Sequence, residues 1–143
     1  MIHASEFSLL RSCSTFALAV LTLAGSATLL AHHSFAADYD INKPITVVGK
    51  VTRMRWSNPH AWLSIDMRAS NGKVVNWTFE LVGVGALYQR GWKQRDLLAG
   101  TTVTVHGWLA RNGTPAGNAS TVVLPDRREL WAAATPEERE PPD

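Results

Sequence analysis

The sequence has a single cysteine, Cys13, which excludes a disulfide framework and a cysteine-rich metal centre. Charge of either sign is sparse. Lys and Arg number 14 against 12 Asp and Glu, a net charge of +2, too small an excess to imply a polyanionic partner. No glycine-rich phosphate loop follows a strand pattern, and no internal repeat is visible. Glu80 has no second carboxylate beside it, and the chain offers no nucleophile–base pair or oxyanion signature, so catalysis is not indicated. What remains is ordinary for a folded chain: 143 residues, 45% of them hydrophobic, enough for one small domain and too apolar for a mainly disordered one.

Long hydrophobic runs are also scarce. The one uncharged apolar stretch, residues 13–30, follows Arg11 and ends at Ala31, two histidines and a polar sequence. This is the pattern of a secretory signal. Its Ser, Thr, Gly and Ala content makes it a poor membrane anchor, so no stable membrane insertion is expected after cleavage. A cut after Ala31 makes His32 the mature N-terminus; a cut after Ala36 competes and removes both histidines. Either cut also removes Cys13. The expected organisation is a signal peptide at 1–31, an N-terminal arm at 32–44, a folded domain at 45–131, and a charged, proline-rich disordered tail at 132–143.

Within the folded domain, alternation dominates. Ile45, Val47 and Val51, then Met54 and Trp56, suggest a long first strand whose inward face changes phase near Gly49. Ala61, Leu63, Ile65 and Met67 alternate with polar residues, and Asn71-Gly72 marks a hairpin into a strand with Val75, Trp77, Phe79 and Leu81 on its inner face. Residues 82–92 break the alternation and read as a short helix or turn-rich segment. Two further strands follow, from Thr101 to Arg111 and around Ala119 to Leu124. Three strands, a short helix and two strands predict an all-β fold with one short helix, most simply a five-stranded OB-type small barrel. An SH3-like barrel or a small sandwich also fits the strand count.

Two groups of residues stand out chemically. His32, if N-terminal, offers an α-amine and a ring nitrogen that together chelate a borderline ion such as Cu(II); His33 and His60 are further nitrogen ligands. His60 follows Asn58-Pro59, where proline fixes φ and the asparagine can close a turn, so it projects from a rigid strand start. Trp62, Trp108 and Trp131 fall on outward faces, and exposed aromatics are candidate partner-binding anchors. His106 also faces outward, and Glu80, near Arg90 in sequence, reads as structural.

The segments HHSFAADYD, NPHAW, NWTFEL and ALYQRGW, in that order, resemble a family of small exported Gram-negative bacterial proteins classified as a domain of unknown function. The resemblance spans His32 to about Trp131 and implies export to the periplasm and a compact β-fold. Val75-Asn76-Trp77 also looks like a strand of periplasmic copper/silver chaperones of the OB type. Thr78, Phe79 and Glu80 stand where those carry methionines, so a thioether Cu(I) site is not supported. Two functional expectations follow. One is a metal-binding module, most simply for copper, using His32, His33 and His60. The other is a non-catalytic interaction module docking on another envelope protein through Trp62 and Trp108, with no role for nucleic acid.

Overall fold

Hydrophobic residues at alternate positions fold into strands, and the computed structural model, which describes residues 35–133, has six of them. A helical turn α1 (Phe35–Asp38) leads into β1 (Tyr39–Arg55), followed by β2 (His60–Arg68) and β3 (Val74–Val82). Helix α2 (Val84–Gln89) and a 3-10 turn (Gln94–Leu97) precede β4 (Thr102–Ala110), β5 (Ala116–Val123) and β6 (Glu129–Trp131). The strands form one sheet in the order β3-β2-β1-β4-β5-β6. Neighbours in this order are antiparallel. A further, parallel pairing joins β3 to β5, so the pairings run in a closed circuit through β1, β2, β3, β5 and β4. No helix among the described residues is long and apolar enough to cross a membrane.

The alternating residues fill the interior. Val47, Val51, Leu63, Ile65, Phe79, Leu81, Val103, Val105 and Val122 are buried in one cluster with Leu87 and Trp92 of the α2 region. Each such side chain contributes about 1.5–3 kcal/mol relative to exposure. Trp77 stacks on Phe79 with ring centroids 5.9 Å apart, packed against this cluster as its position in the alternation predicts.

Several boundaries differ from the sequence expectation. β1 starts at Tyr39, inside the stretch read as an arm, because Tyr39 pairs with Ala110. Pairing resumes only at Pro44 opposite Trp108. The excursion between them is closed locally by Asp40, whose carboxylate accepts the Asn42 amide at 3.1 Å. The phase change in β1 lies at Thr52, between Val51 and Arg53, not at Gly49. Val51 and Met54 both pack inward, and three residues of spacing require one extra residue between them. Gly49 answers to a different constraint: a Cβ there would lie 2.6 Å from the Asp66 carbonyl oxygen. At the other end, Leu130 pairs with Val122 in a sixth strand, and Ala132 and Ala133, placed by sequence in the tail, are buried.

The ALYQRGW segment terminates α2. Gly91 takes φ +85°, and the Gly91 and Trp92 amides donate to the Tyr88 and Leu87 carbonyls at 3.0 and 3.1 Å, the Schellman arrangement that a left-handed glycine permits. Trp92 then donates from Nε1 to the Trp131 carbonyl at 2.8 Å, and Arg90 from Nη1 to the Ala133 carbonyl at 2.7 Å. A short helix thereby holds down the last strand.

Two predictions follow from this packing. A Cβ on Gly107 would sit 2.1 Å from the backbone oxygen of Asn118. Gly107→Ala must therefore open the β4–β5 ladder, and urea unfolding should show a loss of at least about 2 kcal/mol. The second concerns Arg128, which grips Asp96 of the 3-10 turn through two bonds of 2.8 and 3.3 Å. Its hydrogen bonds hold the Asp96 carboxyl below the usual range. The folded state therefore binds this proton less tightly than the unfolded chain. The resulting stability is present above pH ~4 and lost as pH falls through the depressed value. Asp96→Asn should flatten the acid limb of a urea-midpoint-against-pH curve; an unchanged limb would show that the pair contributes nothing.

Candidate functional site

Glu80 is the centre of a polar cluster that joins β1, β2 and β3. It points away from the core between inward-facing Phe79 and Leu81, on the three-residue parallel seam where Thr78, Phe79 and Glu80 pair with Ala116, Gly117 and Asn118. The Tyr39 hydroxyl donates to its Oε2 at 2.6 Å, and His60 Nδ1 lies 2.6 Å from its Oε1. Both carboxylate oxygens therefore have a short, charge-assisted partner. The contact orients the imidazole: in its neutral form, an Nδ1–H donated to the carboxylate leaves the lone pair on Nε2.

Each partner is positioned by its own local structure. His60 opens β2 after a cis Asn58-Pro59 bond. Asn58 Oδ1 accepts the Val84 amide at 2.9 Å, tying this turn to the start of α2, and Ser57 donates to the His60 carbonyl at 2.6 Å. Tyr39 is held by the arm. Phe35 packs against its ring at 5.6 Å and edge-on against Trp108 at 5.3 Å, while Arg111 binds the arm's backbone through the Ala36 and Asp38 carbonyls at 2.7 and 2.8 Å. Burial, and then the hydrogen bond to Glu80, push the Tyr39 phenol well above its ordinary value.

The candidate residues are divided by this arrangement. His32 and His33 lie outside the described residues. His60 joins Glu80 and Tyr39, whereas Trp108 serves as the platform for Phe35. Trp62 stands opposite Glu80 in the β2–β3 register, half-buried, with the Arg55 guanidinium 5.6 Å from its ring centroid. With Arg53, Arg55, Ser64 and Thr78 it lines a shallow, open groove of about 180 Å³. Trp131 is exposed, and His106 bonds Thr46 Oγ1 at 3.0 Å on the outer face. Among the described residues no three His, Cys, Asp or Glu side chains are grouped to hold a metal.

Sequence reasoning associated Glu80 with Arg90, but its oxygens go to Tyr39 and His60, and Arg90 donates to Ala133. Asn118, beside Glu80 on the seam, was also missed; its Oδ1 and the Trp77 Nε1 are buried without a hydrogen-bond partner among the described residues. The available signal was the co-occurrence of Tyr39, His60 and Glu80, one in each of three separate motifs.

These features define a small β-sheet protein with a carboxylate hub clamping an N-terminal arm. The chain belongs to the DUF6152 family, a family of unknown function whose model matches residues 19–119. No curated protein matches the sequence.

The hub makes a testable statement about stability. A raised Tyr39 value means that the folded state holds the phenol proton more tightly than the unfolded chain. Stability from this group is thus complete below pH ~10 and falls as pH rises beyond it. Tyr39→Phe should cost about 1–3 kcal/mol at neutral pH, because a carboxylate oxygen loses its donor, and should abolish that share of the alkaline decline. Equilibrium unfolding of both proteins from pH 7 to 11 measures both effects.

Proposed function

We propose that this is an exported periplasmic metal-binding protein, most simply for copper, built on a five-stranded OB-type barrel. In this reading residues 1–31 are removed on export. His32 then contributes its α-amine and ring nitrogen, and His60 contributes Nε2, with His33 available as a further nitrogen ligand. The observation that carries the reading is the His60–Glu80 contact of 2.6 Å. Metal-binding histidines characteristically donate their second ring N–H to a carboxylate, which orients the ring and raises its basicity. The same carboxylate binds Tyr39, so one group anchors both His60 and the arm that continues from His32 and His33. The closed circuit of strand pairings is the connectivity expected of an OB-type barrel.

An all-nitrogen set suits a divalent ion of Cu(II) type, not a thioether-bound monovalent one. Its donors must be deprotonated, so affinity should fall on acidification. The reading as an interaction module keeps Trp62 as an anchor but loses Trp108, which is engaged by Phe35.

Mass spectrometry of the protein recovered from the envelope, followed by Cu(II) titration with electron paramagnetic resonance, tests the proposal. A mature N-terminus at His32 and nitrogen hyperfine structure are expected. His60→Ala and His32→Ala should each weaken binding at least tenfold, and Glu80→Gln by roughly ten- to a hundredfold with Cu(II) still bound. An N-terminus at Ala37, or affinity unchanged in His32→Ala, would sink it.

A further inference from the structure

The register of the first three strands sets outward side chains in rows. Arg53, Ser64 and Thr78 form one row, and Arg55, Trp62 and Glu80 the next. The groove lies across these rows. Both arginines are exposed, and neither has an ion-pair partner among the described residues. The acids that flank them are already engaged. Glu80 is shared by Tyr39 and His60, and Asp66 accepts Asn76 Nδ2 at 2.7 Å. The face therefore presents two guanidiniums with no ion-pair partner among the described residues.

We infer that this groove is a docking site for an extended acidic segment of a partner protein, with one carboxylate on Arg53 and another on Arg55. Three observations select this occupant. The groove, at about 180 Å³ and open, is smaller than the ~300–1,000 Å³ that encloses a small-molecule ligand, so it suits groups projecting from something larger. Arg55 lies over the Trp62 ring, so that face is taken and is not a platform for a stacked nucleobase. The same contact keeps the guanidinium beside the ring, and its N–H groups suit the two-pronged contact that carboxylates make. Finally, Arg53 and Arg55 are alternate residues of β1, about 6–7 Å apart along the strand, which is also the spacing of alternate side chains in an extended peptide. The Ser64 and Thr78 hydroxyls, hydrogen-bonded to each other at 3.5 Å on the floor, leave one hydroxyl proton as a further donor.

This inference is independent of any metal, and its test is run on metal-free protein. The probes are two blocked hexapeptides of equal charge, one alternating Ser and Glu, the other with its three Glu adjacent. They are titrated into nitrogen-labelled protein while the Trp62 indole and arginine Nε–H resonances are followed. Saturable shifts at these groups are expected, with the alternating peptide bound roughly fivefold more tightly, and binding weakened by added salt. Replacing both arginines by Gln should reduce affinity at least tenfold with thermal stability retained, whereas Lys73→Gln, on the β2–β3 turn, should leave it within about twofold. The inference is overturned by absence of a saturable shift, by equal loss in Lys73→Gln, by indifference to the order of the glutamates, or by tighter binding of an oligothymidylate at the same resonances.

Discussion

Only three residue pairs join β3 to β5, and the circuit of strand pairings closes there. β3 pairs with β2 along one edge from Val74 to Val82, and its other edge meets β5 at Thr78, Phe79 and Glu80. It also carries Glu80, a carboxylate that is mostly withdrawn from water and must be given donors to remain there. The donors come from opposite directions, His60 from the start of β2 and Tyr39 from the start of β1. Bringing Tyr39 to this point requires the arm to cross Trp108 and pair with Ala110. The seam, the arm and the imidazole therefore meet at one carboxylate.

Alternation made β2, β3 and β4 readable because their inner residues are apolar and most of their outer ones are polar. The segment after β3 was legible as a break in alternation, a short helix or turn-rich stretch; the structure makes it a helix stopped at Gly91 and Trp92. Tyr39 to Lys43 gave no such signal: DINK has no apolar periodicity, and of this stretch only Tyr39 pairs, with Ala110 far along the chain. β6 was hidden for a similar reason, as Leu130 is its only buried residue. The hub was half legible. His60 announced itself by following Asn58-Pro59, but its partnership with Glu80 depends on the β2–β3 register and on the arm, which composition does not encode.

The four motifs divide by what becomes of their polar atoms. In ALYQRGW, Arg90 Nη1 and Trp92 Nε1 end on backbone carbonyls of the last described residues, a use that fastens one element to another. Of the other three, NWTFEL supplies the Glu80 carboxylate, and two send a side chain to it, Tyr39 and His60. Of those, Tyr39 spends its only proton there, whereas His60 uses one ring nitrogen and retains a second. Membership of such an ordered series of motifs is thus compatible with purely architectural work. The chemistry worth pursuing is concentrated where a heteroatom remains unspent after the architecture is satisfied.

The same reasoning explains why the carboxylate hub and the arginine groove coexist on neighbouring ground. Arg55 and Glu80 lie in one row, separated by Trp62 on the strand between them. Two inter-strand spacings place their backbones about 10 Å apart, a gap that long side chains can cross to form an ion pair. The indole occupies that path and draws the guanidinium over its own ring. Glu80 consequently remains available to Tyr39 and His60, and Arg55 has no ion-pair partner among the described residues. Replacing Trp62 by a small residue would remove this separation: the arginine and the carboxylate would compete for each other, and both neighbouring sites would lose the side chain on which they depend.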